Sequence, residues 1–155
     1  MTYFLLTWDF RGKEDETEAA ELAERCATRG KVRHDWSVGN TRAIRPKDIA
    51  FMLRQQSEPR GIIGAGVIRS EPYFERHWRD KRKKVLYVDI DWTNFAVEPL
   101  IGSSELQRRF KQVYWHPRRS GIRLPDEIGK TIEQDLKVRL TQNRKLRPTK
   151  AERRS

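Results

Sequence analysis

Three of the five tryptophans stand beside small polar residues, a setting in which an indole ring can serve as a binding surface. They lie in the segments Thr7-Trp8-Asp9, Asp35-Trp36-Ser37 and Tyr114-Trp115-His116. An indole in such a place can stack on a planar base, which is worth ~1–3 kcal/mol per base. Neighbouring Ser, Asn or Asp groups can then bond to the edge of that base. The alternative is that these tryptophans are core residues, because each one buries a large apolar area.

Candidate catalytic residues are few. The three histidines, His34, His77 and His116, lack the spacing to one another or to cysteine that a zinc site needs. The sequence contains no G-x-S-x-G nucleophile motif. Asp89 and Asp91 fall on one face of a predicted strand, as the carboxylates of metal-dependent nucleases can, although solvent-facing acids give the same pattern. We therefore expect no catalytic residue, metal or cofactor, and we keep a small nuclease or hydrolase using Asp89 and Asp91 as an alternative.

The charge of the chain indicates the class of partner. Its formal net charge is +11 and its sequence pI is about 10.1. Basic residues concentrate in residues 137–155, with eight Lys or Arg against Glu152, and in the cluster 76–84. Six acids fall within residues 14–24. Such a distribution favours binding to a phosphate backbone, and it disfavours an interaction module that binds no nucleic acid.

Hydrophobic periodicity predicts the elements that must position these residues. Strands are predicted over 3–8, 49–53, 61–68 and 85–92, whereas residues 31–40 read as a polar stretch outside the strands. Helices are predicted from a capping-box-like start at Asp15 to Gly30, over 104–110, and from Asp126 onward. This order of elements predicts a small α+β domain built on a curved or closed sheet with flanking helices.

Length and composition limit the organisation of the chain. At 155 residues it fits one domain, and the apolar pattern ends near Thr141, so residues 141–155 are expected to form a disordered basic tail. The single cysteine excludes an internal disulfide. No signal peptide and no apolar stretch of the roughly 18–20 residues that span a bilayer is visible, which predicts a cytoplasmic protein without a membrane partner.

An ordered set of segments carries a family resemblance. In chain order these are the aromatic run 3–8, Trp36–Gly39 after an acidic helix, Lys47–Arg54, Gly61–Pro72, and a late Trp115 followed by Ser120-Gly121-Ile122. Over residues 3–140 the chain resembles the EVE-type domains of the PUA-like superfamily. The resemblance is to the variant found with HNH nucleases and other modification-dependent restriction endonucleases.

The resemblance implies a small PUA-like β-barrel with flanking helices, related to YTH and ASCH domains. It also implies binding of DNA that carries 5-methylcytosine or 5-hydroxymethylcytosine, with the base swung into an aromatic pocket. In this chain Trp8 and Trp36 correspond to pocket walls, and Trp115 is assigned to the same pocket. The expected contacts to the base edge or backbone are Ser37, Asn40, Ser120 and Gly121. Asp9 departs from the asparagine expected after the first tryptophan, which leaves its role in the pocket open.

The sequence thus predicts a domain over residues 1–140 that reads a flipped, modified base, without catalytic activity of its own. No nuclease segment follows residue 140, so we expect either that a separate nuclease subunit supplies any cleavage or that this chain is the reading part of a longer protein. The alternative partner is RNA, bound as by YTH domains. Phosphate contacts are assigned to exposed basic residues, namely Arg76, Arg79, Lys81, Arg82, Lys83, Lys84, Arg118 and Arg119.

Overall fold

The computed structural model describes residues 1–76 and 84–146. Within these ranges the chain forms eight strands and three helices. The helices are α1 (Lys13–Arg29), α2 (Ser103–Arg109) and α3 (Asp126–Leu146). The strands are β1 (Tyr3–Asp9), β2 (Val32–Gly39), β3 (Ile49–Gln55), β4 (Gly61–Ile68), β5 (Tyr73–Arg76), β6 (Lys84–Phe95), β7 (Ile101–Gly102) and β8 (Ile122–Leu124).

The strands form one mixed sheet that curls into a half-barrel. Its order is β2-β6-β4-β3-β1-β8, with β5 pairing to β6 and β7 to β4. Only the β1–β3 pair is parallel among these described strands, and the remaining pairs are antiparallel. The structure confirms the predicted α+β fold, a small barrel with flanking helices.

A single glycine lets the two ends of the sheet meet. The Thr41 hydroxyl donates a hydrogen bond of 2.7 Å to the carbonyl of Gly121, which directly precedes β8. Gly121 has φ +86°, and a Cβ there would lie 2.5 Å from the carbonyl oxygen of Val38 in β2. Any larger residue would therefore clash with the backbone of β2 and adopt a strained φ. The absence of a side chain at Gly121 therefore allows the start of β8 to contact the end of β2.

Alternate residues of the strands point to opposite sides of the sheet and contribute to two hydrophobic clusters. The α1-side cluster takes Phe4, Leu6 and Trp8 from β1 and packs them against the apolar face of α1. The α3-side cluster takes Tyr3 and Leu5 from the same strand and packs them beneath α2 and α3. The sheet therefore separates a core under α1 from a core under the two later helices.

The start of α1 differs from the prediction. The helix begins at Lys13 after Gly12, and Asp15 lies inside its first turn. The Asp15 carboxylate accepts hydrogen bonds from the backbone N–H of Arg11 (2.8 Å) and from the Trp8 indole (3.0 Å). It therefore ties the loop after β1 to the helix start instead of forming a capping box. The predicted end at Gly30, with φ +82°, is confirmed.

The structure differs from the sequence prediction at β2 and at the end of α3. The polar stretch 31–40 contains β2, which antiparallel pairing with β6 places inside the sheet although its side chains are mostly polar. Helix α3 continues to Leu146, past the expected boundary at residue 140, and the rest of the predicted tail lies outside the described residues. No helix in the described part of the chain combines the length and the apolarity needed to cross a membrane.

Candidate functional site

A cavity of about 880 Å³ opens between the sheet and the start of α1. This volume falls in the range of roughly 300–1,000 Å³ typical of small-molecule sites. Because β2 ends the strand order, the cavity extends around its edge and reaches residues on both faces of the strand. Its lining consists of aromatic and charged residues from β1, α1, β2 and β6, namely Trp8, Asp9, Arg11, Gly12, Lys13, Glu14, Asp15, Glu18, His34, Asp35, Trp36, Ser37 and Tyr87.

Trp8 and Trp36 form the aromatic floor of this cavity. Their ring centroids are 4.9 Å apart, with 45° between the ring planes. Trp8 is only 4% exposed, and its indole N–H is bonded to Asp15. Trp36 is half-buried, and its indole N–H donates 3.0 Å to the carbonyl of Thr7. Both indoles are therefore held in place from the side by hydrogen bonds.

The geometry corrects one part of the predicted pocket. Stacked rings have centroids about 4.5–7 Å apart, so Trp8 and Trp36 already contact each other and leave no space for a base between them. Phe10, 5.0 Å from Trp8, covers more of that ring. Of the two rings, Trp36 is therefore the one with a face accessible from the cavity, and Trp8 packs behind it.

His34 flanks Trp36 on the same face of β2, with ring centroids 5.6 Å apart. Its Nε2 lies 3.6 Å from the Glu18 carboxylate, whereas its buried Nδ1 has no hydrogen-bond partner among the described residues. Burial lowers the pKa of His34, against the opposing effect of the Glu18 and Asp35 carboxylates. His34 is therefore mainly neutral at pH 7.

The segment 120–121 buttresses the cavity from the side of β1. The backbone N–H of Thr7 donates 3.1 Å to the Ser120 hydroxyl, and the Thr7 carbonyl holds Trp36. Gly121 contacts the end of β2 through Val38. Ser120 and Gly121 thus lie beside the cavity without lining it, and Asn40 is exposed in the turn after β2. Of the predicted pocket residues, Trp8, Asp9, Trp36 and Ser37 form the lining.

Trp115 does not belong to this cavity. It is 2% exposed, lies in the α3-side cluster, and its indole N–H donates 3.1 Å to the carbonyl of Phe110. Its polar neighbours suggested a binding position, but the ring points to the opposite core. The structure therefore places Trp115 apart from this cavity, because the loop that carries it packs its side chain into the α3-side cluster.

The predicted phosphate contacts are described only in part. Lys84, Arg118 and Arg119 are exposed, and the two arginines directly precede the buttressing Ser120. The backbone of Arg76 ends β5, while Arg79, Lys81, Arg82 and Lys83 lie outside the described residues. Arg118 and Arg119 are therefore exposed cations close in sequence to the cavity wall, in addition to Arg11 and Lys13, which line the cavity itself.

The two aspartates of the nuclease alternative are engaged in the fold. Both oxygens of Asp91 accept hydrogen bonds from guanidinium groups, at 2.5 Å from Arg33 and 2.9 Å from Arg69. Hydrogen bonding to Arg33 holds the pKa of Asp91 below its usual range, against the effect of burial. Asp89 accepts 2.7 Å from the Tyr73 hydroxyl. These contacts favour a structural role for both carboxylates.

Sequence reasoning missed several lining residues. Tyr87 precedes the aspartates on β6 and pairs in register with Ser37 across the β2–β6 ladder. His34 was weighed only as a metal ligand. Arg11 and Asp15 enter the cavity because the turn into α1 folds back over Trp8. The alternation of residues in β6 could have predicted that Tyr87 lies on the face of the sheet opposite to α1. No local sequence pattern predicts, however, that β2 pairs with β6.

Comparison with solved structures shows the fold. Protein PSPTO5229 from Pseudomonas syringae superposes with a TM-score of 0.60 at 19% identity, over 86% of this chain and 99% of that one. A hypothetical protein from Leishmania major gives 0.61 at 14% identity, over 87% and 94%. The Mmi1 YTH domain, solved in complex with RNA, gives 0.56 at 11% identity, over 92% and 81%.

No protein-family model matches the chain. No curated protein matches it by sequence. The likeness to the YTH domain nevertheless agrees with the predicted fold, a small barrel with flanking helices.

Proposed function

We propose that this chain binds nucleic acid and holds one everted, modified base in the cavity beside Trp36. The observation that carries the proposal is the half-buried Trp36 ring, fixed by its bond to Thr7 and facing a cavity of about 880 Å³. The solved Mmi1 YTH domain supports it, since a chain of the same fold binds RNA.

The lining groups suit a base that stacks on one side and is read along its edge. Trp36 offers the π face, and a stacked base gains ~1–3 kcal/mol. Asp9, Asp35 and Ser37 also line the cavity, and each carries a group that accepts hydrogen bonds, as the amino group of a base requires. Phosphate contacts by the exposed Arg118 and Arg119 would supply most of the affinity, and the cavity the discrimination.

The kind of nucleic acid and base belongs to the proposal as well. The resemblance to EVE-type domains supports DNA with 5-methylcytosine or 5-hydroxymethylcytosine, read for a separate nuclease subunit in a restriction-type system. The likeness to a YTH domain in complex with RNA supports modified RNA. The cavity geometry fits either polymer, because the proposed contacts lie on the base.

We further propose that the chain has no catalytic role. The carboxylates that a nuclease would need to bind metal, those of Asp89 and Asp91, are engaged with Tyr73, Arg33 and Arg69. Incubation of DNA and RNA with the protein and Mg²⁺ or Mn²⁺ should leave both intact. Cleavage that disappears in an Asp89→Asn, Asp91→Asn double variant would establish the nuclease alternative instead.

The test is a binding titration on matched oligonucleotides that differ at one base. They carry cytosine, 5-methylcytosine, 5-hydroxymethylcytosine or N6-methyladenine, each as DNA and as RNA. We expect one modified base to bind more tightly than its unmodified parent, and Trp36→Ala to abolish this difference while non-specific binding persists. Equal affinity for every oligonucleotide, unaffected by Trp36→Ala, would overturn the proposal.

A further inference from the structure

We infer that the cavity selects a base that carries a positive charge at neutral pH, such as adenine methylated at N1 or cytosine methylated at N3. The inference rests on the proposed function and narrows its ligand by charge. It ranks the neutral 5-methylcytosine and 5-hydroxymethylcytosine as weaker ligands of the same cavity.

The lining of the cavity is negatively charged although the whole chain is strongly basic. Five carboxylates line it, on Asp9, Glu14, Asp15, Glu18 and Asp35, against the two cations Arg11 and Lys13. With His34 neutral, the lining carries five negative and two positive charges, a net −3, in a protein of net +11. The basic surface of the protein therefore attracts an anion, whereas the negatively charged lining of the cavity repels it.

The effect of these carboxylates is visible on their neighbours. Burial raises the pKa of Tyr87 above its ordinary value, and the charges of Asp35 and Glu75 raise it further. Asp35 also acts to raise the pKa of Tyr73, after the larger effects of burial and of Asp89. The outer side of β2 is thus a place where negative charge is disfavoured and positive charge is favoured.

Trp36 adds a second preference for a cation on the opposite face of β2, where Asp15 bonds to the contacting Trp8 and Glu18 lies 3.6 Å from the neighbouring His34. The face of an indole attracts a cation by its quadrupole, and tryptophan is the strongest aromatic partner for such a contact. Its interaction with a charged base would add to that of the carboxylates that line the cavity. The phosphates of the ligand, repelled by the cavity, would stay on the basic surface outside it.

Isomeric bases separate charge from size in a direct test. N1-methyladenine and N6-methyladenine have the same composition, as do N3-methylcytosine and 5-methylcytosine, but only the first of each pair is cationic at neutral pH. Single-stranded oligonucleotides are used, because methylation at N1 or N3 also blocks base pairing and would lower the cost of eversion in a duplex. We expect the cationic isomer to bind roughly tenfold more tightly in each pair.

A matched pair of variants tests whether the cavity is the source of this preference. Glu14→Gln with Asp35→Asn removes two charges from the lining and should reduce the preference for the cationic isomer several-fold. Glu21→Gln with Glu24→Gln removes the same charge from exposed positions of α1 that do not line the cavity, and should preserve it. An equal reduction by both variants would show a general charge effect and overturn the inference.

The outcomes also separate this inference from the proposed function. If a neutral isomer binds as tightly as its cationic partner or more tightly, and Trp36→Ala abolishes that binding, the inference is wrong and the proposed function stands. If no modified base binds better than its parent and Trp36→Ala changes nothing, both are wrong.

Discussion

The two hydrophobic clusters have similar composition and different accessibility. Each contains aromatic residues from β1 and from a segment outside it: Trp8 and Trp36 in or against the α1-side cluster, Tyr3 and Trp115 in the α3-side cluster. The α3-side cluster packs beneath α2 and α3, and Trp115 within it is 2% exposed. The α1-side cluster reaches the surface where α1 begins, and there Trp36 borders a cavity.

The side of the sheet, and not the local sequence, separates a tryptophan that lines a cavity from one that is buried in a core. Trp36 and Trp115 both have small polar or aromatic-polar neighbours, and both donate their indole N–H to a backbone carbonyl. They differ in what covers them. A helix lies over one, and an open cleft beside the turn into α1 adjoins the other.

The largest expected effect is on stability. Trp115→Ala should lower the free energy of unfolding by ~3–5 kcal/mol, because it leaves a large cavity in a sealed core. Trp36→Ala should cost clearly less, since the ring is half-buried and its removal enlarges an existing cleft. Chemical denaturation of both variants measures the difference. Equal losses would show that Trp36 is as much a core residue as Trp115, and the comparison would fail.

The next effect is on binding. Trp36→Ala should weaken binding to the preferred modified oligonucleotide by ~1–3 kcal/mol, whereas Trp36→Phe, which keeps an aromatic face, should lose less. Trp115→Phe is the matched control from the other cluster and should leave affinity unchanged if the protein remains folded. A Trp36→Ala variant that still discriminates the modified base would place the pocket elsewhere.

A pH-dependent effect distinguishes the structural role of Asp91 from a catalytic one. Hydrogen bonding to Arg33 and Arg69 keeps the pKa of this carboxyl below its usual range. The stabilisation is therefore present at neutral pH and is lost as the pH falls through and below the ordinary aspartate range. The wild type should be more stable than Asp91→Asn at pH 7, with the gap closing on acidification. A gap that is constant with pH would contradict this role.

The smallest expected effect concerns the proposed phosphate contacts of Arg118 and Arg119. Replacing Arg118 and Arg119 by Gln should lower the slope of log K against log salt by up to about 0.9 for each phosphate of duplex DNA that an arginine no longer neutralises. The preference for the modified base should not change, since phosphate contacts carry no base information. Lys130→Gln, on the exposed face of α3, is the control. An unchanged slope would show that the two arginines do not contact phosphate.

Much of the fold was predictable from the sequence. Hydrophobic alternation predicted β1, β3 and β6, and four-residue spacing predicted α3, all close to their observed positions. The polar composition of β2 concealed it, because the strand lies at the end of the sheet order and turns half of its residues to solvent. The predicted start of α1 at Asp15 differs from the observed start at Lys13. Asp15 bonds to Trp8 inside the first turn, and no local sequence pattern reveals this interaction.

The cavity was predictable only in part. Trp8, Asp9, Trp36 and Ser37 were found from aromatic residues flanked by polar ones, and all four line the cavity. The same rule failed for Trp115, because it contains no information about which side of the sheet a loop returns to. Tyr87 was missed because its entry depends on the β2–β6 register, a long-range property of the chain.

Base eversion into the cavity beside Trp36 is the central claim, and one measurement tests it most directly. Wild type and Trp36→Ala are titrated with duplexes that carry 5-methylcytosine, a modified base that still pairs, opposite guanine, a mismatch or an abasic site. Eversion costs a few kcal/mol for unpairing, and less when the base is already unpaired. If the base is everted beside Trp36, the mismatch and the abasic site should tighten binding by the wild type but not by Trp36→Ala. Equal affinity of the wild type for all three duplexes, or the same gain in Trp36→Ala, would contradict it.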